Sequence, residues 1–169
     1  WRSIWISKIP QNNTNKPNYI NFHYSISIKF LTYLILLFMA QNFIFKLKIY
    51  YEDTDSGGVV YYANYLKFLE RARSELIYSF GLSNKKLLNE HDTLIIVKSC
   101  NIEYKKSAKL EDELEVHSNI ESFTKTSFTI DQIVKRNGEI IAIAKVVLVT
   151  INSHGKPIKI PKELEDLIK

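Results

Sequence analysis

Two aspartates, Asp53 and Asp55, stand just ahead of a glycine pair, Gly57-Gly58. They belong to the run Tyr50-Tyr51-Glu52-Asp53-Thr54-Asp55-Ser56-Gly57-Gly58-Val59-Val60-Tyr61-Tyr62-Ala63-Asn64-Tyr65. An aspartate of ordinary pKa, about 3.9, is ionised at neutral pH. Such a carboxylate can attack a carbonyl carbon directly, giving a mixed anhydride, or it can activate a water. The amides of Gly58 to Tyr62, or of the first turn of a following helix, can cradle the oxyanion that develops. One such donor is worth about 10²–10³ in rate. The residues leave a plainer reading open: Asp53 and Asp55 as turn formers bonded to nearby backbone.

The elements on either side decide what the run can do. Phe43 to Tyr51 alternates loosely and predicts a strand. From Ala63 to Phe80, the residues Tyr65, Phe68, Leu69, Ala72, Leu76 and Phe80 recur at helical spacing and predict a helix with one apolar stripe. Asn64 or a neighbour is expected to cap it. The carboxylates therefore fall on a strand-to-helix turn, near the positive end of a helix dipole. Gly57-Gly58 predicts a turn with unusual backbone angles, and Gly81 a helix stop. Ser83 predicts the cap of a second, short helix through about Glu90.

Four strand-like runs follow, Thr93 to Tyr104, Glu113 to Phe123, Ser127 to Arg136 and Glu139 to Ile151. Leu114, Val116 and Ile120 share one parity, as one-sided burial requires. Asn137-Gly138 is a strong hairpin signal. Pro161 to Ile168 predicts a terminal helix. The order predicts an α+β fold in which a curved five-stranded, mostly antiparallel sheet wraps one long central helix. Such a sheet leaves edges to be covered, so oligomerisation is expected.

At this point the residues resemble a known family. Tyr51 to Tyr61, with Tyr65 and Phe68-Leu69-Glu70-Arg71-Ala72-Arg73-Ser74-Glu75 behind it, looks like the signature of hotdog-fold acyl-CoA thioesterases. The likeness is to the YbgC type associated with the Tol-Pal envelope system, with the 4-hydroxybenzoyl-CoA thioesterases as near relatives. It covers about Met39 to Lys169 and implies a homodimer or a homotetramer of paired subunits. It implies hydrolysis of acyl-CoA to free acid and CoA, in the cytoplasm, with no cofactor beyond the CoA of the substrate. It assigns the catalytic carboxylate to Asp55 and an active-site tyrosine to Tyr51. Tyr62 matches a position that is histidine in typical YbgC proteins and tyrosine in the 4-hydroxybenzoyl-CoA enzymes. A role needing an imidazole is therefore not carried over, while a role for the Tyr62 backbone amide is. Thiolate leaves readily, so a heavily activated serine is not needed.

Further site residues are expected on simpler grounds. Gly58 is assigned to the catalytic loop. Tyr61 and Tyr65 are candidate substrate walls; from the residues alone, burial near the core is the first reading of Tyr61, as it is of Tyr51. Lys125-Thr126-Ser127, between two strands, is a candidate contact for a CoA phosphate, as are Lys105 and Lys106; exposed surface lysine is the bland reading of each. Asp53 is expected to be structural, and Glu70 to pair with Arg71 or Arg73.

Other chemistries fit less well. His23, His91, His117 and His154 show no ligand spacing, so no metal is expected. There is no Gly-x-Ser-x-Gly elbow and no P-loop. Hydratases on acyl thioesters generally need a histidine in the catalytic loop, and none lies between His23 and His91. A non-catalytic acyl-thioester-binding or Tol-Pal partner protein is the other alternative.

The chain of 169 residues carries a formal charge of +5. Arg2, Lys8, Lys16 and Lys29 supply four of those charges within residues 1–38, which hold no acid. A nearly neutral remainder argues against nucleic acid as the partner. Residues 1–38 are expected to be an upstream extension, with Met39 as the biological start of a domain spanning 39–169. The apolar run 30–38 is too short for a bilayer, which takes about 20 apolar residues. Cys100 is the sole cysteine; it is expected to be a buried, inert thiol, and a reducing cytosol fits.

Overall fold

The structure, a computed structural model, describes residues 43–168; the expectations for 1–38 and Met39 lie outside them. The strands are β1 (Phe43–Lys48), β2 (Leu94–Tyr104), β3 (Glu113–Phe123), β4 (Ser127–Arg136) and β5 (Glu139–Ile151). The helices are α1 (Asn64–Ser79), α2 (Asn84–His91) and α3 (Lys162–Ile168). All strand pairs are antiparallel, in the order β1-β3-β4-β5-β2. The predicted bounds of β3, β4 and β5 match those observed. Among the described residues, no helix is long and apolar enough to cross a membrane.

Alternation explains how the sheet holds α1. Phe128, Ile130, Gln132 and Val134 of β4 are buried, as are Ala142, Ala144, Val146 and Leu148 of β5. Each set is of one parity, so it lies on one face of the pleat. Leu114, Val116 and Ile120 extend that face across β3. Against it α1 lays Tyr65, Phe68, Leu69, Ala72 and Leu76, all buried. Full burial of a side chain such as Phe68 or Leu69 contributes about 1.5–3 kcal/mol. Leu69→Ala would cost about 2–5 kcal/mol, because the packed layer cannot close the gap. The pairing register shifts at Val97/Ser99, Ile120/Ser122 and Val134/Lys135. Such bulges bend strands and raise local twist, which lets the sheet curve about the helix.

The polar core is organised by Gln132. Its amide nitrogen donates to the Leu69 carbonyl (3.1 Å) and to Ser118 Oγ (3.0 Å), and its Oε1 accepts from Arg73 (2.8 Å). A buried amide left unpaired would be costly, so this set fixes where the middle of α1 sits on β4.

The turns follow their residue chemistry. Asn137 and Gly138 both have positive φ (50° and 81°), as a type I′ hairpin demands. Ser83 Oγ accepts from the Lys86 amide at 3.0 Å and caps α2.

Three local expectations are corrected. β1 ends at Lys48, and Tyr51–Asp53 form a 3-10 turn, because Asp53 turns back to accept from the Tyr50 amide at 3.0 Å. Asn64 does not cap α1 from outside but is its first residue, preceded by Ala63. Cys100 is exposed, because β2 is an edge strand and nothing in the described chain covers its middle.

Candidate active site

The Asp55 segment is a tight loop hung between β1 and α1. Thr54 and Val60 pair across it, and Val59 pairs with Lys109. The Asp55 amide donates to the Val59 carbonyl (2.9 Å), and the Gly58 amide to the Asp55 carbonyl (3.0 Å). The Gly57 amide donates to Asp55 Oδ1 at 2.8 Å. Asp55 is thus exposed with one carboxylate oxygen held by the turn. Gly58 adopts φ +74°, and no atom lies within 4 Å of where its Cβ would stand. Its glycine is required by backbone shape, not by crowding.

Asp53 is structural. Its side chain is buried and bonded to the Tyr50 amide. Its carbonyl accepts from the Tyr61 amide (2.9 Å) and from the Asn64 side-chain amide (2.9 Å). These bonds tie the loop to the start of α1.

Hydrogen-bond partners sort the loop amides that are candidate oxyanion donors. Gly57 and Gly58 donate to Asp55, Val60 to Ala108 (2.8 Å), Tyr61 to Asp53, and Asn64 to Tyr61 (2.9 Å). Among the described residues, the Ser56, Val59, Tyr62 and Ala63 amides have no such acceptor. The expectation that Gly58 donates to an oxyanion is therefore corrected: that amide is committed to the turn. Of these, the Tyr62 and Ala63 amides sit at the mouth of α1, where first-turn donors lack helical acceptors and the dipole favours negative charge.

The tyrosines divide. Tyr51 is 82% exposed and Tyr62 61% exposed. The Tyr61 and Tyr62 rings lie 4.7 Å apart, and the hydrogen bond from Tyr62 raises the Tyr61 phenol above its usual range. Tyr65 is only 2% exposed, with its hydroxyl on the Ala108 amide (3.3 Å) and its ring edge-on to Phe68 and Tyr104. Tyr65 is thus core and forms only the inner wall of a cleft. That cleft, of about 310 Å³, lies beside the helix mouth between Tyr62, Tyr104, Lys105 and Lys106. Lys105 is ion-paired with Glu103, and Lys106 with Glu139. Tyr104, which carried no signal in the sequence, donates its hydroxyl to the Tyr62 carbonyl at 3.0 Å.

Lys125, Thr126 and Ser127 are not brought to Asp55 within one chain. The Asp55 loop is bonded to the segment beside Arg136, since Val60 bonds Ala108 and Arg136 bonds the Ser107 carbonyl. Lys125 to Ser127 form the turn at the far end of β4, about 30 Å away at 3.4 Å per residue. There Thr124 bonds Ser127, and the Lys125 carbonyl accepts from Ile160. Glu70 accepts from Ser74 at 2.7 Å, so the hydrogen bond expected from an arginine goes to serine. No group of three metal-binding side chains occurs among the described residues.

With this geometry in hand, the comparisons with other proteins are decisive. The family model of the thioesterase-like superfamily matches residues 50–168. The chain belongs to that superfamily, among the YbgC-type proteins. It is 36% identical over 128 residues to the acyl-CoA thioesterase YbgC of Haemophilus influenzae, covering 75% of this chain and 94% of that one. It is 36% identical over 124 residues to the acyl-CoA thioester hydrolase YbgC of Escherichia coli, covering 72% of this chain and 92% of that one. A probable thioesterase from Bartonella henselae superposes with a TM-score of 0.69 at 30% identity, covering 71% of this chain and 99% of that one. The sheet-and-helix architecture of this YbgC-type chain is therefore the hotdog fold. Its matched region opens at Tyr50, where the turn that carries Asp55 begins.

Proposed function

We propose that this chain hydrolyses acyl-CoA thioesters, with Asp55 as nucleophile or general base and the Tyr62 backbone amide as oxyanion donor. The observation that carries the reading is the amide count at the mouth of α1. The amides of Gly57, Gly58, Val60, Tyr61 and Asn64 are engaged, while those of Tyr62 and Ala63, at the helix mouth, have no acceptor among the described residues. A thioester carbonyl oxygen at those amides would be polarised by the helix end. The held Asp55 carboxylate is carried on the same loop, with one oxygen fixed by Gly57. The names of the Haemophilus and Escherichia relatives support acyl-CoA as the substrate.

The working unit in this reading is a dimer. β2 is an 11-residue edge strand with Ile96 and Val97 exposed on opposite faces. Such an edge is a template for pairing. Two identical strands pairing antiparallel share a two-fold axis perpendicular to the sheet. Both α1 helices then lie on one face beside the seam. The reversal also carries the partner's β3-β4 turn toward the end of the sheet that holds Asp55. Lys125 to Ser127 can meet CoA phosphates only in that arrangement. Sedimentation should give a mass of two chains or a multiple, and an active monomer would exclude this arrangement.

Thiol release from a panel of acyl-CoAs tests the chemistry. Asp55→Asn should lower kcat by about 10²–10⁴, the usual scale for a general base. Undiminished turnover in that variant would move the site elsewhere. Single turnover in heavy-oxygen water separates the two routes: label in Asp55 marks an anhydride, and label only in the released acid marks activated water.

A further inference from the structure

The turn that leads into α1 spans residues 61–64 and is closed by the Asn64 amide on the Tyr61 carbonyl at 2.9 Å. Both of its ends are tied to one atom: the Asp53 carbonyl accepts from the Tyr61 amide and from the Asn64 side chain, each at 2.9 Å. Its central peptide, between Tyr62 and Ala63, is held differently. The carbonyl of that peptide accepts from the Tyr104 hydroxyl at 3.0 Å, and among the described residues no backbone amide reaches it. Building on the acyl-CoA hydrolase reading above, we propose that Tyr104 is a positioning residue for that reaction: it fixes the plane of the peptide between Tyr62 and Ala63, and so aims the Ala63 amide, beside that of Tyr62, at the carbonyl oxygen of the substrate.

A trans peptide is planar, so its C=O and N–H point to opposite sides and turn together. Ala63 has φ −71° and ψ −21°, which with the closing bond makes the turn type I. The flipped, type II form would swing the carbonyl away from Tyr104 and needs a positive φ at Ala63, which its β-carbon resists. The sense of the peptide is therefore set by the turn. Its tilt is not, since backbone angles scatter by about 15–20° around their ideal values. A fixed point outside the turn removes that freedom. The bond also acts through the peptide itself. A carbonyl that accepts a hydrogen bond polarises the N–H of the same group, and bonds in such a chain strengthen one another. The Tyr62 amide has the same support, because the carbonyl of its own peptide, that of Tyr61, accepts from Asn64. Both amides that lack an acceptor at the helix mouth thus belong to peptides whose carbonyls are engaged.

Tyr104 is itself firmly placed. It is the last residue of β2, opposite Ala142 of β5. Just beyond it the Ile141 carbonyl accepts from the Lys105 amide (2.8 Å) and the Lys106 amide (3.1 Å). Its ring packs edge-on against Tyr65, with centroids 5.4 Å apart, and stands edge-on to Tyr62 at 6.5 Å. Tyr65 is anchored in turn by its hydroxyl on the Ala108 amide. Burial first, then Cys100 and Tyr62, raise the Tyr104 phenol above its usual range, so it keeps the proton that the carbonyl requires. With that proton given to Tyr62, the hydroxyl has none to offer a substrate, and its part is to position. The fold as a whole asks little of this bond. Tyr104 is 41% exposed, and its ring contacts do not need the oxygen.

The test removes the donor and keeps the ring. Tyr104→Phe should lower kcat for the best acyl-CoA about ten-fold, less than the roughly 10²–10³ for losing an oxyanion donor outright. KM should stay within about three-fold, because the bond counts most where charge develops on the oxygen. The melting temperature should stay within about 4 °C of the native chain, the scale of one exposed hydrogen bond. At neutral pH, 4-aminophenylalanine at position 104, a weaker donor, should restore part of the rate. There 3-fluorotyrosine, a stronger donor, should equal or exceed the native rate. A second measurement needs no turnover. S-acetonyl-CoA and S-(2-oxotridecyl)-CoA are ketones that cannot be hydrolysed, and the infrared C=O band of either, labelled with carbon-13, reports the pull of the amides on a bound carbonyl. The native chain should move that band to lower frequency, and Tyr104→Phe should lose a large part of the shift. Turnover of acyl-CoA, with kcat and the band both unmoved by Tyr104→Phe, overturns the positioning role and leaves the hydrolase reading standing. A loss of rate that follows the melting temperature and ignores the order of donors also overturns it. A shifted band that Tyr104→Phe weakens, without turnover of any thioester, overturns the hydrolase reading and leaves Tyr104 in its role at the carbonyl-binding amides. Neither shift nor turnover overturns both.

Discussion

The Asn64 side-chain amide donates to the Asp53 carbonyl oxygen over 2.9 Å, so the first residue of α1 holds the strand end of the loop that carries Asp55. Both residues are buried, and the Tyr61 amide shares the same acceptor. Asn64→Ala leaves that carbonyl with one donor instead of two and opens a small void. It should cost about 1–3 kcal/mol of stability, read from the midpoint of urea unfolding. Thioester turnover should fall as well, because the loop loses a tie to the helix mouth.

Gly57 and Gly58 should respond differently to alanine. A Cβ on Gly57 would stand 3.1 Å from Asp55 Oδ1, so the carboxylate must give way by a few tenths of an ångström. Gly57→Ala should therefore lower kcat/KM by about ten-fold or more, since misplacing a reacting group is costly, with a melting temperature close to that of the native chain. A Cβ on Gly58 meets nothing, but φ there is +74°. Gly58→Ala should cost about 1–2 kcal/mol through backbone strain, seen as a lower melting temperature. Equal effects of the two on kcat/KM would argue against Asp55 as the reacting group.

The role assigned to residue 62 is a backbone role, and it can be separated from the side chain. Tyr62→Phe should leave kcat/KM within about three-fold, since the phenol is not the donor to the oxyanion. Replacing the amide at residue 62 by an ester through chemical ligation removes only its N–H. That change should lower kcat by about 10²–10³, as loss of one oxyanion donor does. An ester variant as active as the native chain would transfer the role to another amide, with Ala63 the first to try.

The loop that supports the site from behind is pinned by a charge pair. Asp112 accepts from Arg136 at 2.6 Å and from the Lys109 amide at 2.8 Å. Burial works against the charged carboxylate, but Arg136 and the Lys109 amide outweigh it and hold Asp112 below its ordinary value of 3.8. A depressed folded value means the unfolded chain takes up the proton first. The stability this pair supplies is therefore present above about pH 4 and is lost as pH falls below 3.8, through the folded value. Urea unfolding across that range should show Asp112→Asn less stable than the native chain at neutral pH, with the gap narrowing as the medium becomes more acid. A gap independent of pH would mean that packing, not charge, sets it.

Much of the fold was legible because period and punctuation agree locally. Asn137-Gly138 demanded a tight hairpin, and it joins β4 and β5 as expected. The stripe Tyr65, Phe68, Leu69, Ala72 and Leu76 is the buried face of α1. Alternation in β3, at Leu114, Val116 and Ile120, names the face that packs on it. The aspartate-and-glycine run marked the loop, since few other residue types make so sharp a turn before a helix.

What tertiary structure decided is where bonds and neighbours come from. That Gly58 donates to its own turn while the Tyr62 amide does not is a fact of hydrogen-bond partners, which no spacing rule reports. Tyr104 and Tyr62 are far apart in the chain and meet because the end of β2 reaches the start of α1, where the Tyr65 and Tyr104 rings pack. A lone thiol in a strand-like run is expected to be buried, yet β2 lies at the sheet edge and leaves Cys100 exposed. Strand order is set by long-range pairing, and sequence period is blind to it. Periodicity fixes which face of an element is apolar; only the packed chain determines what that face, and each remaining amide, finally meets.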